Sequence, residues 1–210
     1  MTNMPSDLTD ITNRLRQDME AQHAARETGL AGGRRIIQLS SRAIKHIHRR
    51  QSDETEKLLV ELRQLVKSVI ESVRQFPAIQ YSAALQDAIK EYVEAETLCA
   101  IVEGAALPEP SELGVTAQAY VNGLCEAASE CRRYALDTLR AGDFQRARAL
   151  ADVMEDIYDE LITFDFPDAL TSNLRRNVDA LRAVLERTQS DLAVTATQLE
   201  LIAELQKVKR

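Results

Sequence analysis

Residues 87–98, DAIKEYVEAETL, carry Asp87, Glu91 and Glu94 at spacings of four and three. At 3.6 residues per helical turn, this spacing lines the three carboxylates along one face. Leu85, Ile89, Tyr92 and Cys99 share one side of the same helix, and Leu98 and Ile101 lie on the other. A helix that is apolar nearly all round is normally central and buried. Carboxylates crowded on such a helix must be protonated, paired with cations or bound to a metal. Carboxylate oxygens are the ligands that Mg²⁺ and Mn²⁺ take, so a hydrolytic metal centre is one reading. An exposed acidic ridge, or salt bridges to arginines, is the other. Glu96 falls on the Leu85 side and reads as structurally paired.

A second acidic face lies in ADVMEDIYDELI, where Asp152, Glu155 and Asp159 recur beside a core stripe of Ala147, Leu150, Met154, Ile157 and Leu161. Alone it is an ordinary solvated face. Beside the first, it offers what helical bundles use to build metal sites, oxygen ligands from two neighbouring helices. A third face is basic: Arg34, Arg35, Arg42, Lys45, His46 and Arg49 lie opposite Ile36, Ile37, Ala43, Ile44 and Ile47. Such a stripe suits a phosphate backbone, or it only solubilises the helix, since neither aromatic stacking platforms nor a familiar RNA module is present. His23, His46 and His48 all precede the acidic segments, so nothing suggests a histidine-based, metal-independent ribonuclease.

The elements that must position these groups are helical. Ala, Leu, Glu, Arg and Gln dominate the 210 residues, with only seven Gly, five Pro and 4% aromatics, a composition of helix formers. The fold class is all-α, a single domain over residues 1–210, with about six or seven long helices. Pro77 stops one of them, Gly32-Gly33 reads as a weak point or bend, and EGAALPEPSELG is the clear loop. The apolar positions after Pro77 and Pro167 exceed what one partner helix covers, which predicts a homo-oligomer. Cys99, Cys125 and Cys131 have no paired spacing, as expected of core thiols in a reducing cytoplasm. No apolar run approaches a membrane span, and the N-terminus lacks the parts of a signal peptide. The net charge of -7 disfavours binding of nucleic acid over the whole surface but leaves a local basic patch open.

Several stretches resemble the translin and translin-associated factor X (TRAX) family: FPAIQY, LQDAIKEYVEAETL, YVNGLCEAASECRRYALDTLRAGDF and IYDELITFDFPDALTSNLRRNVDALRAVLE. They run in order from about residue 20 to about residue 195. KEYVEA is similar to the TRAX branch, in which the two glutamates are catalytic, whereas translin has apolar and basic residues there. The resemblance implies a seven-helix α-α superhelix that assembles into a closed oligomeric shell, an octamer, and binds RNA or single-stranded DNA. It further implies an Mg²⁺-dependent endoribonuclease, with Mn²⁺ as an alternative ion. By likeness Glu91, Glu94 and Asp159 are the catalytic and metal-binding acids, and Asp87 and Glu155 are second choices. The length and the acidic pair together suggest a single-subunit, archaeal-type relative. A non-catalytic, translin-type nucleic-acid-binding oligomer is the alternative.

Overall fold

The structure, a computed structural model, describes the backbone of residues 4–208 and the side chains of residues 8–208. Within them the chain forms six long helices and three single-turn ones, and no strand. The long helices are α1 (Met4–His48), α2 (Ser52–Val73), α4 (Ala83–Glu103), α6 (Ala117–Arg140), α7 (Phe144–Leu161) and α9 (Leu174–Val208). Single turns α3 (Pro77–Gln80), α5 (Pro110–Leu113) and α8 (Asp168–Thr171) lie in the connections. The all-α expectation holds.

Successive helices stack rather than wrap one centre. α1 packs on α2 and α4, α4 on α6, α6 on α7 and α9, and α7 on α9. α4 lies inside this stack, as its all-round apolarity requires: Ala88, Val93, Ala95 and Leu98 are fully covered, and Leu85, Ile89 and Tyr92 nearly so. Truncating a side chain such as Leu98 to alanine in a site this closed costs about 2–5 kcal/mol.

Two expectations change. Gly32 and Gly33 do not bend α1, which continues through both. They are contact points instead. A Cβ on Gly32 would stand 2.4 Å from Val69 Cγ2 of α2, and one on Gly33 would meet Ala88 of α4 at 3.5 Å. Gly32 thus lets α1 approach α2, whereas a Cβ at Gly33 would make only ordinary contact with α4. The apolar surplus after Pro77, expected to await a partner molecule, is covered within the chain by α1 and α6. Apolar surface left in solvent includes the stretch around Pro167, where Ile162, Phe164, Phe166 and Leu170 are exposed, and the two ends. Leu8, Ile11, Leu15 and Met19 form an exposed stripe on α1, and Leu201, Ile202 and Leu205 are exposed on α9.

Candidate acidic active site

Two close helix contacts define the site. Gly33 sets α1 against Ala88, Ala84 and Leu85 on one flank of α4, while Gly123 sets α6 against Val93 and the Lys90 carbonyl on another. At about 100° per residue, Asp87, Glu91 and Glu94 fall on the face of α4 between these two contacts. They form the floor of a groove walled by α1 and α6. Gly123 is indispensable to that geometry, because a Cβ there would stand 2.6 Å from Val93 Cβ and 2.7 Å from the Lys90 carbonyl oxygen. One turn further along α6, Glu126 reaches the floor. Carboxylate oxygens of Glu91, Glu94 and Glu126 all lie within 4.8 Å of one another, and all three residues are half-buried.

Three carboxylates this close disturb one another. Burial, the neighbouring charges of Glu91 and Glu126, and then Glu130 push the Glu94 carboxyl up to about 8. Burial also raises Glu91, with Glu126 and Asp87 adding to the shift and Lys90 opposing it. Lys90 donates to Glu126 Oε1 at 2.6 Å and is, among the described residues, the one cation bonded into the group. A site of hard oxygen donors with three carboxylates to one bonded cation suits a divalent cation.

The chain order hid two participants. Glu126 lies outside both acidic faces read from the sequence, and its signal is the glycine three residues before it, which marks where α6 closes on α4. His48 lies upstream of the acidic segments, yet α1 brings its Nε2 to 2.6 Å from Glu130 Oε1. The imidazole is 3% exposed, and its Nδ1 has no hydrogen-bond partner among the described residues. A histidine therefore does stand beside the acidic group, because the end of α1 packs along the groove wall.

Of the other expected residues, Asp87 is exposed on α4, one turn before Glu91. Asp159 and Glu155 are exposed on α7 and stand outside the three-carboxylate group. The reason is the register of α7: with Ala147, Leu150, Met154, Ile157 and Leu161 turned into the core, its acidic face turns away from α4. Asp152 and Glu155 line a shallow pocket that Gln189 and Ala193 of α9 complete. Glu96 is paired as its register requires, accepting from Arg63 Nε at 2.7 Å and Nη2 at 2.8 Å on the opposite flank of α4.

On α1, Arg34, Arg35, Arg42, Lys45 and Arg49 are exposed, and His46 is half-buried and bonded to Gln51. Arg35 is tied to Glu61 of α2 at 2.9 Å. Arg34, Arg42, Lys45 and Arg49 have no ion-pair partner among the described residues. Taking His48 as the direction of the acidic groove, Arg34 and Lys45 fall about 40–60° away around α1, and Arg42 and Arg49 about 100–120° away. The free cations thus form a strip along the rim of the groove.

The Translin family profile matches residues 31–190. The chain belongs to the translin family. An uncharacterized protein of the archaeon Methanocaldococcus jannaschii is 28% identical over 202 residues, 95% of this chain and 89% of that protein. Among solved structures, the AfC3PO–duplex RNA complex superposes with a TM-score of 0.84 at 34% identity, over 89% of this chain and 97% of that one. AfC3PO in a second crystal structure gives 0.83 at the same identity. Apo-NeC3PO shares the fold, with a TM-score of 0.74 at 22% identity over 92% of this chain and 97% of that one. The translin fold therefore holds over nearly the whole chain, and the groove lies within the matched region.

Proposed function

We propose that this translin-family protein is a metal-dependent endoribonuclease that binds and cuts single-stranded or short structured RNA within a homo-oligomeric shell. The observation that carries this reading is the convergence of Glu91, Glu94 and Glu126 within 4.8 Å, where membership in the translin family and the likeness to a protein solved with duplex RNA make RNA the natural substrate. Glu91 and Glu94 keep the roles expected of them as metal ligands. Glu126 takes the third position that the family resemblance assigns to Asp159.

Mg²⁺ or Mn²⁺ bound by these three acids would lower the pKa of a water for attack on a phosphodiester and neutralise charge on the phosphoryl oxygens. The residues of the chain have distinct tasks. Glu94, whose carboxyl is pushed up to about 8 by burial, would hold the cation as a carboxylate after giving up its proton to solvent. Lys90 holds the Glu126 carboxylate from its far side at 2.6 Å, which fixes that ligand against α4. Asp87 is an outer acid, one turn away. Arg34, Lys45, Arg42 and Arg49 hold the RNA backbone along the rim, and their charge offsets the repulsion between its phosphates and the acids. The exposed apolar stripes of α1 and α9 are the surfaces by which copies join, and the octamer implied by the family resemblance is the expected closed form.

The test is cleavage of end-labelled RNA by purified protein with Mg²⁺, with Mn²⁺ and with EDTA, alongside Glu91→Gln, Glu94→Gln and Glu126→Gln. Internal cutting that needs the ion and all three acids supports the assignment. RNA binding without cutting under every ion condition would favour the translin-type binding oligomer instead.

A further inference from the structure

A second cavity adjoins the acidic group. Between α4, α6 and the α8–α9 junction lies a cleft of about 290 Å³ that shares Glu126, Lys90 and Asp87 with the groove. Its wall is not apolar. Side-chain amides line it, and they divide into two sets.

One set is fixed. Asn122, 3% exposed, donates to the Thr171 carbonyl at 2.7 Å and accepts from Asn177 Nδ2 at 2.8 Å, which ties α6 to α8 and α9. Gln86 donates to the Gln80 carbonyl and accepts from the Thr116 hydroxyl. These buried amides are satisfied by the protein and hold the walls apart. The other set faces the cavity with nothing bound to it: the side chains of Gln118 and Asn173, and the Arg176 guanidinium, have no protein partner among the described residues. The turn that presents Asn173 runs through two consecutive left-handed residues, Ser172 at φ 48° and Asn173 at φ 65°. Asparagine tolerates that conformation better than most side chains.

The cleft is close to the lower size limit of a small-molecule pocket and lacks an aromatic or aliphatic wall. It carries one free cation and two free amides. Its far edge is the carboxylate of Glu126, a residue of the proposed cutting site. A ligand for it must be anionic and rich in hydrogen-bonding groups, and small enough for a few hundred cubic ångströms. It must also extend towards a divalent cation at the acids. A nucleotide unit of RNA meets all of these. We infer that this cleft is a nucleotide subsite, in which Arg176 holds a phosphate and Gln118 and Asn173 bond to the sugar or base of the residue next to the cut. The inference rests on the proposed cleavage site for its role and on the cleft alone for binding.

The experiment titrates the full-length protein with ribonucleoside 5′-monophosphates and, separately, with inorganic phosphate by calorimetry, and repeats both on Arg176→Ala and Gln118→Ala. Circular dichroism melts confirm folding, which these solvent-accessible substitutions are not expected to disturb. Steady-state cleavage of RNA on the same proteins gives kcat and KM. The expected result is measurable nucleotide binding that each variant weakens about tenfold, with KM for RNA rising and kcat less affected. Nucleotide binding lost in the variants while the parent cuts no RNA would support the subsite and sink the cleavage reading. Cleavage with unchanged KM and unchanged nucleotide affinity in both variants would overturn the subsite and leave the cleavage reading standing. Phosphate bound as tightly as nucleotide would also overturn it, because the amides would then contribute nothing.

Discussion

Gly123 lies so close over α4 that a Cβ placed on it would stand 2.7 Å from the carbonyl oxygen of Lys90. Backbone cannot yield there as a flexible side chain would. Gly123→Ala must move α6 outwards, and with it Glu126, three residues on. The variant should lose about 1–3 kcal/mol by overpacking, and it should also lose the Mg²⁺-dependent rise in melting temperature although none of the three carboxylates has changed. Gly32→Ala is the control, since it meets Val69 at 2.4 Å where α1 packs on α2, away from the acids. It should lower the melting temperature and keep the response to Mg²⁺. Equal responses in both variants would show that the α4–α6 approach does not set the site.

Glu94 and Glu96, two residues apart on α4, should respond oppositely to the same substitution. Burial, and then the charges of Glu91, Glu126 and Glu130, push Glu94 up to about 8, so Glu94→Gln removes a buried charge and its repulsion. At pH 8.5 without metal it should raise stability by on the order of 1–2 kcal/mol, since each pKa unit corresponds to about 1.4 kcal/mol. Glu96 is 5% exposed and bonded twice to Arg63. Glu96→Gln leaves that guanidinium only its exposed pairing with Glu56 at 3.2 Å, and a loss of about 1–3 kcal/mol follows. Urea unfolding of both variants measures the contrast. A destabilised Glu94→Gln protein would mean that its carboxylate is a structural partner.

The same shift fixes the pH dependence. The Glu94 carboxyl binds its proton more tightly in the folded chain, at about 8, than at its ordinary value of 4.5. The stability it contributes is therefore complete below about pH 4.5 and is lost as pH rises through about 8. Without metal, the parent should lose melting temperature over this window relative to Glu94→Gln. A divalent cation takes the place of that proton, so its affinity should climb with pH up to about 8 and its binding should release protons. Calorimetry in buffers of different ionisation enthalpy counts those protons, and a count of zero at pH 7 would rule out Glu94 as a ligand.

What the sequence could disclose depended on how local each signal is. The all-round apolarity of α4, the register of Glu96 and the acidic stripe of Asp87, Glu91 and Glu94 are properties of one helix, and helical periodicity reports them directly. Which acid joins Glu91 and Glu94 depends on which helix packs against α4 and at what height. Asp159 has a suitable spacing on α7, but the core stripe of α7 turns it outwards, whereas Glu126 is delivered by a close approach at a glycine that periodicity does not weigh. His48 was invisible for the same reason, since its partner Glu130 is 82 residues away. Gly32 was ambiguous because a glycine that weakens a helix and a glycine that admits a neighbouring helix look alike until the neighbour is known.

The basic strip should govern affinity without governing chemistry. Arg42, Lys45 and Arg49 are exposed and none has an ion-pair partner among the described residues, so changing all three to glutamate should disturb packing little. Each phosphate left without its cation reduces the dependence of log K on log salt by roughly 0.7 for a single strand. The triple variant should bind RNA more weakly and with a visibly flatter salt slope. Cleavage at saturating RNA should stay within a few-fold of the parent. Fluorescence anisotropy across a series of salt concentrations is the measurement, and an unchanged slope would make the strip a solubilising face.

The last expectation concerns the ends of the chain. Leu8, Ile11, Leu15 and Met19 recur every three or four residues on a stretch of α1 that leaves each of them 45–69% exposed. A stripe of that spacing is what a helix presents to another helix, and a lone chain would leave it in water. Leu8→Glu with Leu15→Glu should therefore reduce the mass of the assembly measured by light scattering while leaving the fold intact, because these side chains contribute little burial to the 23.5 kDa chain itself. If copies join through α9 alone, the same change at Leu201 and Leu205 would dissociate the assembly and the α1 pair would not. A parent protein that runs as a 23.5 kDa monomer at micromolar concentration would reject the shell altogether.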